Sequence, residues 1–382
     1  MTDPRLLIDD LAQLVAFPTV SDRDLTDLAA WLSERFEALG FRVERFPDPA
    51  QPGKCGLVMT AGPERTDGSG IVLSGHMDVV PTEGQPWTSD PFVLTRRGDR
   101  VFGRGSADMK GFFAVVLQAC ARLKIRELKA PLVLVWTHDE ELGCLGSAEL
   151  APKLVGRPLP RRCWIGEPTG FRVLRMHPGH VVAEIVVEGR AAHSARPRLG
   201  LNAIEGAAEV VREIRSLVDE LDRDRGADDP SPRVPINVAR IAADGAVNIV
   251  PDRCVITVGY RPPPGMTADF VHDRIVERIG SLRWAAPIRS RIVQATPSLL
   301  TPAGTDLAAL FAADAAQDDD YRGMAPFATD GSNLATLGIN PLVFGPGDIE
   351  VAHKADEFVE IGALVRAVDV AERVLRATCG VS

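Results

Sequence analysis

Paired cysteines are missing from this 382-residue chain: its six, at positions 55, 120, 144, 163, 254 and 379, are scattered and form no Cys-x-x-Cys pair. In a long chain without a secretory signal, that spacing predicts reduced thiols in a reducing cytosol. Long apolar runs are missing too, since no stretch approaches the ~18 uninterrupted apolar residues of a membrane-spanning helix. The opening MTDPRLLIDDLAQLVAF carries Asp9 and Asp10 where a signal peptide would be apolar, so a cytoplasmic protein with no membrane partner is expected. Positive charge is in deficit: 43 Lys and Arg against 52 Asp and Glu leave a net charge of −9, which argues against a nucleic-acid partner. The glycines of GRGSADMKG (103–111) fit neither nucleotide-binding spacing, G-x-G-x-x-G or G-x-x-x-x-G-K-[ST], and no dehydrogenase fingerprint is present.

What is present reads as a soluble α/β protein long enough for two or three domains of about 150 residues. Leu6, Leu7, Leu11, Leu14 and Val15 recur at helical spacing, and a second helix is expected from a cap at Ser21 or Asp22 to a stop at Gly40. Short apolar runs then alternate with helical stretches: CGLVMTAG (55–62), GIVLSGHMDVV (70–80), LVLVWTHDEE (132–141) and CWIGEP (163–168). Strands apolar on both faces predict a mostly parallel sheet covered by helices. From about residue 177 the pattern becomes β-α-β-β-α-β, with a long helix expected to bury Ile204, Ala207, Val211, Ile214, Val218 and Leu221. The charged stretch 222–233 is expected to be an exposed loop, and α/β texture returns after about 296. The expectation is one α/β domain, 1–176 and 296–382, interrupted by an inserted α+β domain, 177–295.

Residues suited to metal binding collect at strand ends: His76 and Asp78 in SGHMDVVP, Asp108 in GRGSADMKG, Glu140 and Glu141 in THDEELG, Glu167 in IGEPTG and His353 in GPGDIEVAHKADE. In open α/β sheets ligands bind beyond the carboxyl ends of the strands, so these loops can converge. Imidazole and carboxylate suit Zn²⁺ and related divalent ions, and Asp78 is placed to brace His76.

Those motifs, together with Trp87-x-x-x-Pro91-Phe92, GEPT and AAHSARPRLGLNAIE, occur in one order and resemble the M20 family of dinuclear metallohydrolases. The acetylornithine deacetylase branch is the nearest likeness, with succinyl-diaminopimelate desuccinylases and carboxypeptidases beside it. The resemblance implies two divalent metal ions per subunit, Zn²⁺ first and Co²⁺ second. One is assigned to His76 and Glu167, the other to Glu141 and His353, with Asp108 bridging. It makes Glu140 the general base and Asp78 the residue behind His76. His193 would reach the partner subunit's site in a homodimer, with the inserted domain serving as dimerisation or lid domain. Asn248 of NIVP and Arg261 of GYRPPP would hold the substrate's carboxylate. The implied activity is hydrolysis of an N-acyl amino acid, foremost N-acetylornithine to ornithine and acetate in arginine biosynthesis. Desuccinylase, general aminoacylase or carboxypeptidase activity is the alternative within the family, and a metal-free scaffold the alternative outside it. Three stretches depart from the family's usual pattern: His177-Pro178-Gly179, Ala243-Asp244-Gly245-Ala246 and FATDGSNLATLGI (327–339).

Other residues near the motifs receive plainer expectations. Cys144 and Met109 are expected to be core packing, His138 a hydrogen-bonded loop residue, Lys354 and Asp356 solvated, and Asp139 a residue that shapes the turn after its strand.

Overall fold

A computed structural model describes residues 3–21, 23–223, 234–317 and 323–380. The charged stretch expected as an exposed loop falls almost wholly outside these residues, as does Asp22. The chain divides into two compact units, Met1–Met176 with Leu300–Ser382, and His177–Leu299.

The first unit is built on six strands: β1 (Arg42–Pro47), β2 (Cys55–Ala61), β3 (Ile71–His76), β4 (Leu132–Thr137), β5 (Arg162–Ile165) and β6 (Asn340–Val343), in the spatial order β1-β2-β4-β3-β5-β6. From β4 to β6 all pairings are parallel, and β1 and β2 join antiparallel at one edge. The predicted mostly parallel α/β sheet is therefore present. Every residue of β3 and β4 is buried, which is why those strands read as unbroken apolar runs rather than alternating ones.

Successive side chains go to opposite faces. Leu57, Met59, Leu73, Leu134 and Trp136 pack with Leu7, Phe36, Phe113, Val115, Leu364 and Val368 from helices Pro4–Val15, Thr26–Leu39, Lys110–Ala121 and Ile361–Cys379. Each such side chain contributes roughly 1.5–3 kcal/mol of burial. On the other face, Leu150 of helix Leu145–Leu154 sits over Gly56, so close that a Cβ there would lie 3.1 Å from it.

Two helical expectations are corrected. Leu6 faces solvent, because the buried stripe of the first helix begins at Leu7. The second helix starts at Thr26, not at Ser21, and Ser21 does not cap it. Its hydroxyl is taken by Asp78, to which it donates at 2.8 Å. Gly40, at φ 102°, does end that helix, in a left-handed conformation that favours glycine.

The second unit is an antiparallel sheet ordered Ile236–Ala243, Arg253–Tyr260, His180–Glu188, Ile288–Thr296, with helices Ala203–Arg223 and Ala268–Gly280. Val181, Ala183, Ile185 and Val187 form its core with Ala207, Val210, Ile214 and Leu217. Of the expected stripe, Ala207 and Ile214 are buried and Val211 and Leu221 pack partly against the core, while Val210 and Leu217 take the deeper places and Ile204 is exposed. Both sets follow helical spacing, and packing against the sheet selects between them.

Candidate metal centre

Register brings the predicted site residues of the first unit together. His76 ends β3 opposite Thr137 at the end of β4, so the loops carrying Asp78 and Asp139-Glu140-Glu141 leave the sheet side by side. Glu167 follows β5, and His353 lies in the loop beyond β6. Gly166 places Glu167: a Cβ at 166 would lie 2.0 Å from the ring of Phe112, so only glycine lets the chain pass there.

Asp108 occupies the centre. Its Oδ1 lies 3.0 Å from His76 Nε2, and its Oδ2 lies 3.3 Å from His353 Nε2. Glu167 Oε1 is 3.9 Å from His76 Nε2, whereas Glu141 Oε2 is 2.9 Å from His353 Nε2. The five residues divide into two pairs, one on each oxygen of a shared carboxylate. Ligand atoms of His76, Asp108 and Glu141 all lie within 4.8 Å of one another.

The electrostatics match a cation site. Burial pushes the carboxyls of Glu140 and Glu167 well above the carboxylate range, and that of Glu141 up to about 7, each aided by neighbouring acids. Burial would raise Asp108 too, but bonds to His353 and His76 hold it far below its ordinary value. His353 is pushed up to about 10 by Asp108 and Glu141. For His76, burial lowers the pKa, yet bonds to Asp108 and Asp78 outweigh it and hold the ring well above its usual range. Four acids crowded with two imidazoles, all hard oxygen or nitrogen donors, suit a divalent cation that would relieve the repulsion. The residues fit such an ion.

Around this core several residues act that the sequence motifs did not single out. The carboxylate of Glu357 accepts the N–H groups of Gly105 (3.1 Å), Ala107 (2.9 Å) and Asp108 (3.0 Å), and pairs with buried Arg104 at 2.7 Å. Arg104 also donates to Gln85 at 2.6 Å, and Gln85 donates to the carbonyl of His353 at 3.1 Å. Asp356 is not simply solvated. It accepts the N–H of Thr88 at 3.0 Å and its hydroxyl at 2.9 Å, tying the His353 loop to the segment after Gln85. Asp330, from the divergent FATDGSNL stretch, is buried, accepts the Thr137 hydroxyl and is raised by that burial. Acids in or beside loops already rich in glycine and acids were the available signal; the partner of each was not.

Other expectations are refined. Met109 is fully buried, and its sulfur accepts the N–H of His76 at 3.4 Å. Cys144 is buried, but beyond packing it donates to Glu140 Oε1 at 3.4 Å. His138 bonds Asp139 at 3.2 Å through Nδ1. Asp78 accepts the N–H of Glu140 at 3.1 Å and of Glu141 at 3.3 Å, and its carbonyl faces His76 Nδ1 at 2.9 Å.

The remaining predicted residues belong to the second unit. His193 and Asn248 are exposed; His193 Nδ1 accepts the N–H of Ala195 at 3.0 Å, and the Asn248 carbonyl that of Ser194 at 2.9 Å. Arg261 follows strand Arg253–Tyr260.

The sequence matches the model of peptidase family M20/M25/M40 over residues 72–377. The chain belongs to that family. It is 35% identical to an acetylornithine deacetylase of Myxococcus xanthus, with 97% of each chain covered. An acetylornithine deacetylase of Proteus mirabilis (strain HI4320) is 33% identical over 91% of this chain and 90% of the other. Among solved structures, a tripeptidase from Staphylococcus aureus superposes with a TM-score of 0.75 at 18% identity, covering all of both chains. An M20 metallo-carboxypeptidase from Sulfolobus solfataricus does so with a TM-score of 0.75 at 16% identity over 98% of this chain and 99% of that one. These structures share the fold. This M20 chain is a metallohydrolase whose candidate metal site contains His76, Asp108 and Glu141. Among its described residues, no helix is long and apolar enough to cross a membrane, and all six cysteines are free.

Proposed function

We propose that this M20 hydrolase cleaves the amide bond of an N-acyl amino acid, with N-acetylornithine, giving ornithine and acetate, as its substrate. The observation that carries the reaction class is the division of His76 with Glu167 and His353 with Glu141 across the two oxygens of Asp108. The substrate assignment rests on the two deacetylases similar to the chain over nearly their full length.

In this reading His76 and Glu167 would hold one Zn²⁺ or Co²⁺ ion and Glu141 and His353 a second, with Asp108 shared between the two pairs. Divalent cations bound there would supply Lewis acidity, polarising a carbonyl and lowering the pKa of water far enough to make hydroxide available near neutrality. Glu140 takes the proton of the attacking water and returns it to the leaving nitrogen, which departs as an amine. Asp78 orients His76 and, through its bonds to the N–H groups of Glu140 and Glu141, the turn that carries both acids. Asn248 and Arg261 hold the substrate carboxylate. In a homodimer built on the 177–295 domain, the partner subunit's His193 donates to the carbonyl oxygen as charge develops on it. Such a reaction belongs in cytoplasmic arginine biosynthesis.

The test is a metal-reconstituted assay on N-acetylornithine, N-succinyl-diaminopimelate and a panel of N-acetyl amino acids, before and after chelation. Preferential, chelator-sensitive release of acetate from N-acetylornithine is expected. Turnover of another substrate with none of N-acetylornithine overturns the substrate, and hydrolysis indifferent to chelation overturns the mechanism.

A further inference from the structure

A buried lysine lies behind the acid cluster and has no part in the chemistry described so far. Lys54 precedes β2 and is 5% exposed. Its ammonium donates to the carbonyl of Ser21 and pairs with Asp139 Oδ1 at 2.7 Å. Asp139 is fully buried, stands immediately before Glu140, and has φ 50°, in the left-handed region that side-chain-bearing residues seldom adopt. Its other oxygen meets His138 Nδ1 at 3.2 Å, and its backbone carbonyl accepts the N–H of Leu145 at 3.1 Å.

Both ends of the lysine contact lead back to Asp78. Ser21 donates its hydroxyl to Asp78 Oδ2 at 2.8 Å, while the next two N–H groups after Asp139, those of Glu140 and Glu141, donate to the same carboxylate. The ring is closed: Lys54 joins Ser21 to Asp139, and Asp78 joins Ser21 to the residues after Asp139. From this turn the Glu141 side chain runs to His353 and the Glu140 side chain to Cys144.

We propose that Lys54 is a positioning residue of the hydrolytic site, stapling the Ser21 segment to Asp139 and so holding the turn that sends Glu140 and Glu141 in different directions. A buried ion pair is a poor source of stability, because desolvating both charges offsets their attraction and apolar residues of similar volume often serve as well. The contribution assigned to this pair is geometric: it keeps a carboxylate and a strained backbone conformation fixed directly beside the base. The inference rests on the proposed division of roles between Glu140 and Glu141.

The test uses the full-length protein as Lys54→Met, as Lys54→Met with Asp139→Asn, which buries no lone charge, and as Lys54→Arg. Amide hydrogen exchange of the 139–143 segment reads the turn without metal or substrate; metal titration of the chelated protein and separate kcat and KM values read its consequences. The double variant is expected to fold, to exchange faster at Glu140 and Glu141, and to lose about 10- to 100-fold in kcat and in affinity for the more weakly held metal, with KM little changed. Lys54→Arg, which keeps the charge, is expected to fall between it and the parent. Parental exchange, kcat and metal affinity in the folded double variant overturn the proposal. So does a double variant that cannot fold, or activity lost by Lys54→Met only in proportion to unfolded protein. A parent protein that binds no divalent metal and hydrolyses no amide overturns the functional reading instead, and the exchange result still decides whether Lys54 holds the turn.

Discussion

Glu357, four residues after His353 in sequence, accepts the backbone N–H of Asp108 at 3.0 Å. The carboxylate between the two imidazoles is thus held through its backbone by another buried carboxylate, which Arg104 neutralises at 2.7 Å. Replacing Glu357 with alanine strands the Arg104 charge and leaves three N–H groups without their acceptor. Breaking one side of a buried pair costs about 3–5 kcal/mol, so denaturant unfolding should show a loss of that order. A loss below about 1 kcal/mol would mean that the clamp is not what holds the Asp108 loop.

Glu140 and Glu141 are adjacent and should fail differently. Glu140→Ala is expected to retain metal and lose about 10²- to 10⁴-fold in kcat, the usual contribution of a positioned general base. Glu141→Ala, which removes the carboxylate 2.9 Å from His353, should lose metal from one site. Metal analysis after gel filtration distinguishes them, and equal metal loss in both variants contradicts the assigned roles.

The metal-free protein should release protons on metal uptake. His353 is held at about 10 by Asp108 and Glu141, above its ordinary value near 6.5, and an imidazole must be neutral to coordinate. Because the folded-state value is raised, its contribution to the stability of the metal-free protein is complete below about 6.5 and is lost as pH rises through about 10. Metal affinity should therefore climb with pH across that interval. Calorimetry in buffers of different ionisation enthalpy measures the protons, and His353→Gln should flatten the pH slope. An affinity independent of pH between 7 and 9 would rule out a protonated His353.

Thiol chemistry should be nearly silent in the native state. Five cysteines are buried and Cys55 is half-buried. Burial raises the thiol of Cys55 and pushes that of Cys379 up to about 11, so little thiolate exists near neutrality. Slow labelling, with Cys55 first and all six only after denaturation, is expected from mass spectrometry of the alkylated protein. Fast native labelling of Cys144, whose thiol faces Glu140, would contradict the packing around the base.

The strands and helices were legible because burial writes periodicity into the chain. LVLVWT is apolar throughout since β4 is covered on both faces, whereas along VVAEIVVE it is burial that alternates, with Glu184 and Glu188 on the less buried face. Where two residue sets satisfy the same period, as in helix Ala203–Arg223, the sequence left the buried stripe open and contact with the sheet selected it. Ser21 shows the complementary limit. As a local signal it reads as a helix cap, yet its hydroxyl bonds a residue 57 positions away.

Three adjacent acids at the end of a buried strand announced an unusual site, and the residue types and order of the strand-end motifs determined the family and its hydrolytic class. Local composition carries that much, because imidazoles and carboxylates at the mouths of strands are costly without a cation. Which oxygen of Asp108 faces which histidine, that Glu357 and Lys54 hold the two turns from behind, and that Asp139 is answered by a lysine 85 residues earlier were decided only by tertiary structure. Those partners come from separate loops, and electrostatic interactions depend on distance in space, which separation along the chain does not record.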